Sequence, residues 1–315
     1  MGKSDTASDY TPAMPPIVPP GSVVYGMQLP VQAQSNYFVE DWERAAGPAE
    51  MAAVARAADA AGFFYVGVCD HVAIPAELVP AMGAIWYDTV TTLGWLAAQT
   101  TSSRLLSTVF NVTYRHPLVT ANSFATLDRL SEGRAILGVG AGHVEKEFAV
   151  LGADFSARGR ETDEALRVID VALRDGAVEG MAIEPRAIQQ PRPPIWVGGS
   201  APAAVRRAAR LADGWLPQGT PLEQMPPLVE LYRKERGDDT GDLGAISDWI
   251  YVGEPTWDLG RRAVTGSPEQ IAENLGRWSA LGVNHLQVRF PSRSVDELVG
   301  QVTAFGESVG PLLAG

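Results

Sequence analysis

The chain has 315 residues but only one cysteine and four histidines. A lone thiol, Cys69, rules out an intramolecular disulfide framework and fits a cytoplasmic setting. Metal-ligand spacing is absent as well. His143, Glu145 and Glu147 would open a helix on different faces, and there is no His-Glu-x-x-His, so no metal site is expected. No Gly-x-Ser-x-Gly elbow occurs, which disfavours serine hydrolysis. Basic residues are in deficit: the net charge of −12 argues against a broad nucleic-acid interface. No basic amphipathic stretch marks a membrane surface, and no apolar run is long enough to span a bilayer. The N-terminus lacks the apolar centre of a signal peptide and carries five prolines before Gly21, so residues 1–22 are expected to form a flexible arm.

What is present is alternation. Apolar residues make up 46% of the chain, enough for a large core. Strand-like runs begin at Val23, Phe63, Leu105, Ala135, Pro194, Gly214, Ile246 and Asn284, and helix-period segments separate them. Eight such repeats without a linker predict one α/β domain over 23–315, a (β/α)8 TIM barrel, in preference to a doubly wound sheet. The stretch from Asp175 to Arg192 reads as irregular surface chain.

In a parallel barrel the chemistry belongs where strands end. His71 follows the second strand, His116 the third and His143 the fourth, whereas His285 opens the eighth, at the opposite face. His71, beside Asp70, and His143 are the candidates for moving a proton. For His116, next to Pro117, capping a helix is an equal alternative. The run Gly138-Val139-Gly140-Ala141-Gly142 lacks the third Rossmann glycine, since His143 stands there. Close approach of backbone to a flat ligand is the favoured role for Gly140 and Gly142. Gly198-Gly199-Ser200-Ala201-Pro202 is the better phosphate cradle, with a strand ending at Val197 and a helix opening near Pro202. Arg134, Arg158 and Arg160 are candidates to meet an anionic tail, with solvated faces or structural ion pairs as the commoner role. Trp86, Tyr87, Trp249 and Trp257 are candidates to wall an apolar pocket, with core packing the equal alternative.

These motifs together resemble the luciferase-like flavin monooxygenase superfamily, closest to the branch that uses the deazaflavin coenzyme F-420. The resemblance runs from about Val23 to Val309. It is carried by Asp70-His71, by Arg115-His116-Pro117 with the Ala125 to Arg134 block, and by Leu137 to Gly142. Glu147-Phe148, Leu151-Gly152, Arg158-Gly159-Arg160 and Asp163-Glu164 continue it, as do Pro194 to Gly199 and Ala212 to Trp215. It implies a cofactor at the C-terminal face, with His71 beside the reactive ring and Asp70 next to it. It also implies a bulge with a non-proline cis peptide near Thr108-Val109, and the cofactor phosphate on Gly198 to Ala201. Two departures stand out. Many relatives have Trp or Glu where this chain has His143, and the segment from Asp175 to Arg192 is shorter than usual.

The resemblance therefore implies an oxidoreductase passing hydride between coenzyme F-420 and a small organic substrate, with His71 or His143 handling the proton. The alternatives are an FMN-dependent monooxygenase fed by a separate reductase and a non-catalytic flavin-binding protein. Relatives usually form homodimers, and the same is expected here.

Overall fold

The computed structural model describes residues 14–237, 240–260 and 263–313. Eight parallel strands close into a barrel: β1 (Val24–Gln28), β2 (Tyr65–Val68), β3 (Arg104–Ser107), β4 (Ala135–Gly140), β5 (Ile195–Gly198), β6 (Gly214–Leu216), β7 (Asp242–Val252) and β8 (His285–Arg289). Each pairs with its neighbours in chain order, and β8 returns to β1 through Val24 opposite His285. Eight helices cover the outside: α1 (Pro48–Ala60), α2 (Thr89–Ala97), α3 (Pro117–Leu130), α4 (Arg158–Asp175), α5 (Pro202–Leu211), α6 (Met225–Arg236), α7 (Pro268–Ser279) and α8 (Val295–Ala304). The expected (β/α)8 architecture is what the chain adopts. Among the described residues no helix is long and apolar enough to cross a membrane.

Local chemistry explains the boundaries. Pro48 and Pro268 open α1 and α7 at positions where a backbone N–H has no helical acceptor anyway. Ser267 and Ser294 cap α7 and α8 through their hydroxyls. In α1 the buried residues Met51, Val54, Ala55 and Ala58 recur at helical spacing and face the strands. β2, β4 and β5 are buried on both faces, as strands enclosed between a barrel interior and a helical layer must be.

The core accordingly has two parts. The larger lies between strands and helices; a smaller cluster of Tyr65, Leu106, Ile136, Trp196, Leu216 and Ile246 fills the barrel. His285 belongs to this filling. It is fully buried and stacks on Trp196 with centroids 4.1 Å apart, and burial pulls its pKa down to about 3.

Three features differ from the sequence reading. Residues 1–13 of the expected arm lie outside the described residues, but the following segment is not loose. Met14 N–H donates to Asp213 (2.6 Å), while the Ile17 and Val18 N–H groups donate to Asp242 (3.2 and 3.1 Å). The chain is thereby laced across the lower end of the barrel, with Val18 buried. The segment after α4 holds a two-stranded hairpin (Ala177–Val178 with Met181–Ala182) and then Arg192, which is fully buried and paired with Asp170 (2.5 Å) and Asp213 (2.6 Å). A further short strand, Ala263–Gly266, extends the sheet beside the upper half of β7. Its four residues have no apolar alternation to announce it.

Candidate active site

The strand ends converge on a buried dyad. Glu147 lies in a short helix (Glu145–Leu151) after β4, and His71 lies three residues beyond β2. His71 Nδ1 and Glu147 Oε2 are 2.8 Å apart, with both side chains almost wholly buried. Tyr114 donates its hydroxyl to the same oxygen (2.9 Å), and the Val72 and Ala73 N–H groups donate to Oε1 (2.6 and 3.1 Å). Burial alone would raise the Glu147 pKa, but the bonds from His71, Val72 and Ala73 outweigh it and hold the carboxyl below its ordinary range. An anionic Glu147 accepts, so Nδ1 of His71 carries the proton and Nε2 is left for exchange. Burial and then the negative charge of Glu147 raise the Tyr114 pKa, so this hydroxyl stays a donor.

Two rings flank His71. Trp86 packs edge-on at 4.5 Å between centroids, and His143 at 5.4 Å. His143 keeps more than a third of its surface exposed; partial burial, then repulsion from His71, lowers its pKa despite Glu147 nearby. It is therefore neutral at pH 7 and able to accept a proton.

Beside the dyad lies a pocket of about 580 Å³, open towards solvent. His143 is part of its lining, with Val109, Gly140, Gly142, Gly198, Gly199, Ser200 and Ala201. Sequence reasoning thus named residues that the fold does bring together. At its far wall α5 begins at Pro202, and no side chain caps it. The N–H groups of Ser200, Ala201 and Ala203 have no acceptor among the described residues. Ser200 shares a hydrogen bond with Thr220, and Arg158 and Arg207 close the side. Unpaired N–H groups at a helix start, with hydroxyls and arginines around them, make an anion cradle.

Three of the glycines also have a packing role that the sequence reading did not include. The Thr108-Val109 peptide is cis, at the foreseen position, and it turns Val109 towards β4 and β5. A Cβ on Gly140 or Gly198 would overlap the Val109 methyls, and one on Gly67 would sit 2.7 Å from Thr108 Cγ2. Three strands thus carry glycine to receive the β3 bulge, and the close neighbour is a side chain of the same protein. Thr108 itself points into the barrel, where its hydroxyl is 3.5 Å from Gln287 Oε1.

Asp70 also departs from its expected place at the cofactor. Arg115 grips it with two nitrogens (2.8 Å each), Asn111 N–H donates to it at 2.9 Å and Thr89 at 3.2 Å. With both oxygens engaged and only 3% of its surface exposed, Asp70 holds the β2 and β3 ends together. His116 caps α3 through Nδ1, which accepts from Leu118 N–H (3.2 Å). Arg134 is spent on backbone carbonyls of Ala97, Thr100, Ser103 and Ser131, and Arg160 pairs with Glu164 on the surface. Trp257 bonds to Glu297 at 2.8 Å beyond the barrel mouth. Glu147 and Tyr114 were not among the predicted site residues; the acidic position in the Glu147-Phe148 motif was the signal available for Glu147.

The sequence model of luciferase-like monooxygenases matches residues 29–250. The chain belongs to that family. Among curated relatives, this family member is similar to 5,10-methylenetetrahydromethanopterin reductase of Methanopyrus kandleri, at 28% identity over 281 residues, covering 73% of this chain and 76% of the reductase. Among solved structures it resembles a monooxygenase of Streptomyces bottropensis, with TM-score 0.73 and 21% identity over 92% of this chain and 99% of the other. A coenzyme F-420-dependent secondary alcohol dehydrogenase, solved with an F-420–acetone adduct, gives TM-score 0.71 and 18% identity over 93% and 100%. At those identities the structural likeness shows the fold.

Proposed function

We propose that the protein is a deazaflavin-dependent oxidoreductase that reduces or oxidises a small organic substrate by hydride transfer, with His71 as its proton-handling residue. The observation that carries this reading is the buried His71–Glu147 pair opening beside the anion cradle. The residues present fit a flavin-type cofactor: the unpaired N–H groups of Ser200, Ala201 and Ala203 suit its phosphate, and Val109 forms a wall for a flat ring. When bound, the reduced deazaflavin supplies a hydride and no oxygen chemistry, which makes proton management the protein's main task. Likeness to a coenzyme F-420-dependent alcohol dehydrogenase and to a methylenetetrahydromethanopterin reductase supports this choice.

In the reducing direction a substrate carbonyl carbon gains the hydride and its oxygen needs a proton. His71 gives that proton from Nε2, and the Glu147 carboxylate, bonded to Nδ1, holds the ring in place for it. Val72 and Ala73 fix Glu147, and Trp86 fixes the imidazole plane, so little reorganisation accompanies transfer. His143, neutral and exposed at the rim, relays protons to solvent.

The test is anaerobic turnover of oxidised coenzyme F-420 with a panel of alcohols, followed by loss of the deazaflavin's visible absorption. His71→Ala is expected to lower turnover roughly 100-fold or more with cofactor affinity unchanged. Turnover that survives this substitution would refute the assignment of His71.

A further inference from the structure

Several arginines that the fold buries hold acidic or carbonyl partners. Arg115 has Asp70, Arg192 has Asp170 and Asp213, Arg207 has Asp163, and Arg134 has four carbonyls. Arg289 breaks this pattern. It ends β8 half-buried, and its guanidinium makes no hydrogen bond or ion pair among the described residues. Withdrawing a cation from water without a partner is costly, so a site that keeps one has a use for it.

Strand alternation shows where Arg289 points. On β8, His285 stacks on Trp196 inside the barrel and Gln287 meets Thr108 there, so Arg289 is the next inward position, at the mouth. On β1, Gly26 faces the Tyr65 ring, so Gln28 is the inward residue above it. Gln28 is half-buried too, and its side-chain amide makes no hydrogen bond among the described residues. Cys69, which follows β2 and precedes Asp70-His71, is near Arg289 across β1, but its burial keeps the thiol neutral, so it supplies no counter-charge. Gln28, Phe38, Trp249 and Arg289 line one small hollow between β1, β7 and β8. Glu40 and Glu43 also border it, yet neither pairs with Arg289; Glu43 accepts from the Val31 and Glu40 N–H groups instead.

We propose that Arg289 and Gln28 form the oxyanion-recognising end of the substrate pocket, and that the substrate carries a carboxylate. A guanidinium fork with an adjacent amide N–H matches a carboxylate's two oxygens, and the aromatic rings of Phe38 and Trp249 suit the apolar part of such a molecule. The phosphate cradle lies on β4 and β5, across the barrel from β8, so Arg289 is left to the substrate. The word substrate rests on the hydride-transfer reading of the same mouth.

Calorimetric titration of the purified protein with acetate, succinate and benzoate, and separately with inorganic phosphate and coenzyme F-420, tests this. Saturable carboxylate binding is expected in the wild type, at least tenfold weaker in Arg289→Gln, partly restored in Arg289→Lys and unchanged in Ser200→Ala. Phosphate and coenzyme F-420 are expected to show the reverse dependence, weakened by Ser200→Ala and indifferent to Arg289→Gln. Carboxylates that fail to saturate the wild type, or bind Arg289→Gln equally well, overturn the proposal. So does a loss of coenzyme F-420 affinity in Arg289→Gln with carboxylate binding intact, because the cation then serves the cofactor. Carboxylate binding that depends on Arg289 in a protein without affinity for coenzyme F-420 upholds the anion site and removes the hydride-transfer reading alone. Thermal midpoints of each variant establish that it is folded, and Arg289→Lys carries the comparison if Arg289→Gln is not.

Discussion

Replacing Glu147 by Gln probes the dyad with almost no change of shape. The carboxylate accepts four hydrogen bonds, two on each oxygen. The amide oxygen of Gln can still take the Val72 and Ala73 N–H groups. Its NH2, however, meets two donors, His71 Nδ1–H and the Tyr114 hydroxyl, and both charge-assisted bonds are lost. For a side chain this buried the loss amounts to about 2–4 kcal/mol at neutral pH. At roughly 2 °C per kcal/mol for a chain of this size, the midpoint falls by about 4–8 °C. The sign of the pH effect follows from the direction of the shift. The Glu147 pKa is depressed in the fold, so its contribution is present above the ordinary value of 4.5 and is lost as pH falls through the folded value. The gap between wild type and variant therefore closes in acid. Urea denaturation at pH 7 and at pH 4 measures both quantities. A variant within about 0.5 kcal/mol of wild type at pH 7, or a gap that persists unchanged in acid, would refute the ionised, four-bonded Glu147.

Gly140→Ala places a methyl onto Val109 without demanding an unusual backbone angle, and is expected to cost about 1–3 kcal/mol in chemical denaturation. Wild-type stability would show that the Val109 bulge is not seated on β4. Asp242 is raised to about 6 by burial and then by Asp213, although three N–H donors pull the other way. Its stabilising contribution is complete below about 3.8 and is lost as pH rises through 6, a swing of about 3 kcal/mol that Asp242→Asn should abolish in stability–pH curves. Ser200→Ala is expected to weaken cofactor binding about tenfold with a small effect on thermal stability, and equal affinity would move the phosphate elsewhere. Cys69, its thiol pushed up to about 12 by burial, should react with thiol reagents far more slowly at pH 8 than the unfolded chain does.

The barrel was legible because its signals are local. Apolar runs of strand length alternate with helical periodicity, and caps such as Ser267 and Ser294 mark where helices open. The strand–helix junction proposed as the cradle was legible for the same reason: Gly198 to Pro202 is contiguous, between β5 and α5. Contacts across the chain were not. Glu147 meets His71 over 76 positions, and only closure of the barrel brings the β2 and β4 ends together. That Gly140 and Gly198 also receive Val109 was not visible, because Val109 comes from another strand. Asp70 was misplaced likewise, since its partner Arg115 lies 45 residues on. The segment after Met14 has the composition of a loose arm, and what orders it is the pair Asp213 and Asp242 at the far end of the chain.

The most direct measurement is a fluorescence titration of the purified protein with coenzyme F-420 and, separately, with FMN. Tight, saturable binding of the deazaflavin with much weaker FMN binding is the predicted result. A preference for FMN would place the protein with oxygen-using monooxygenases, and affinity for neither would contradict the functional account while leaving the barrel intact.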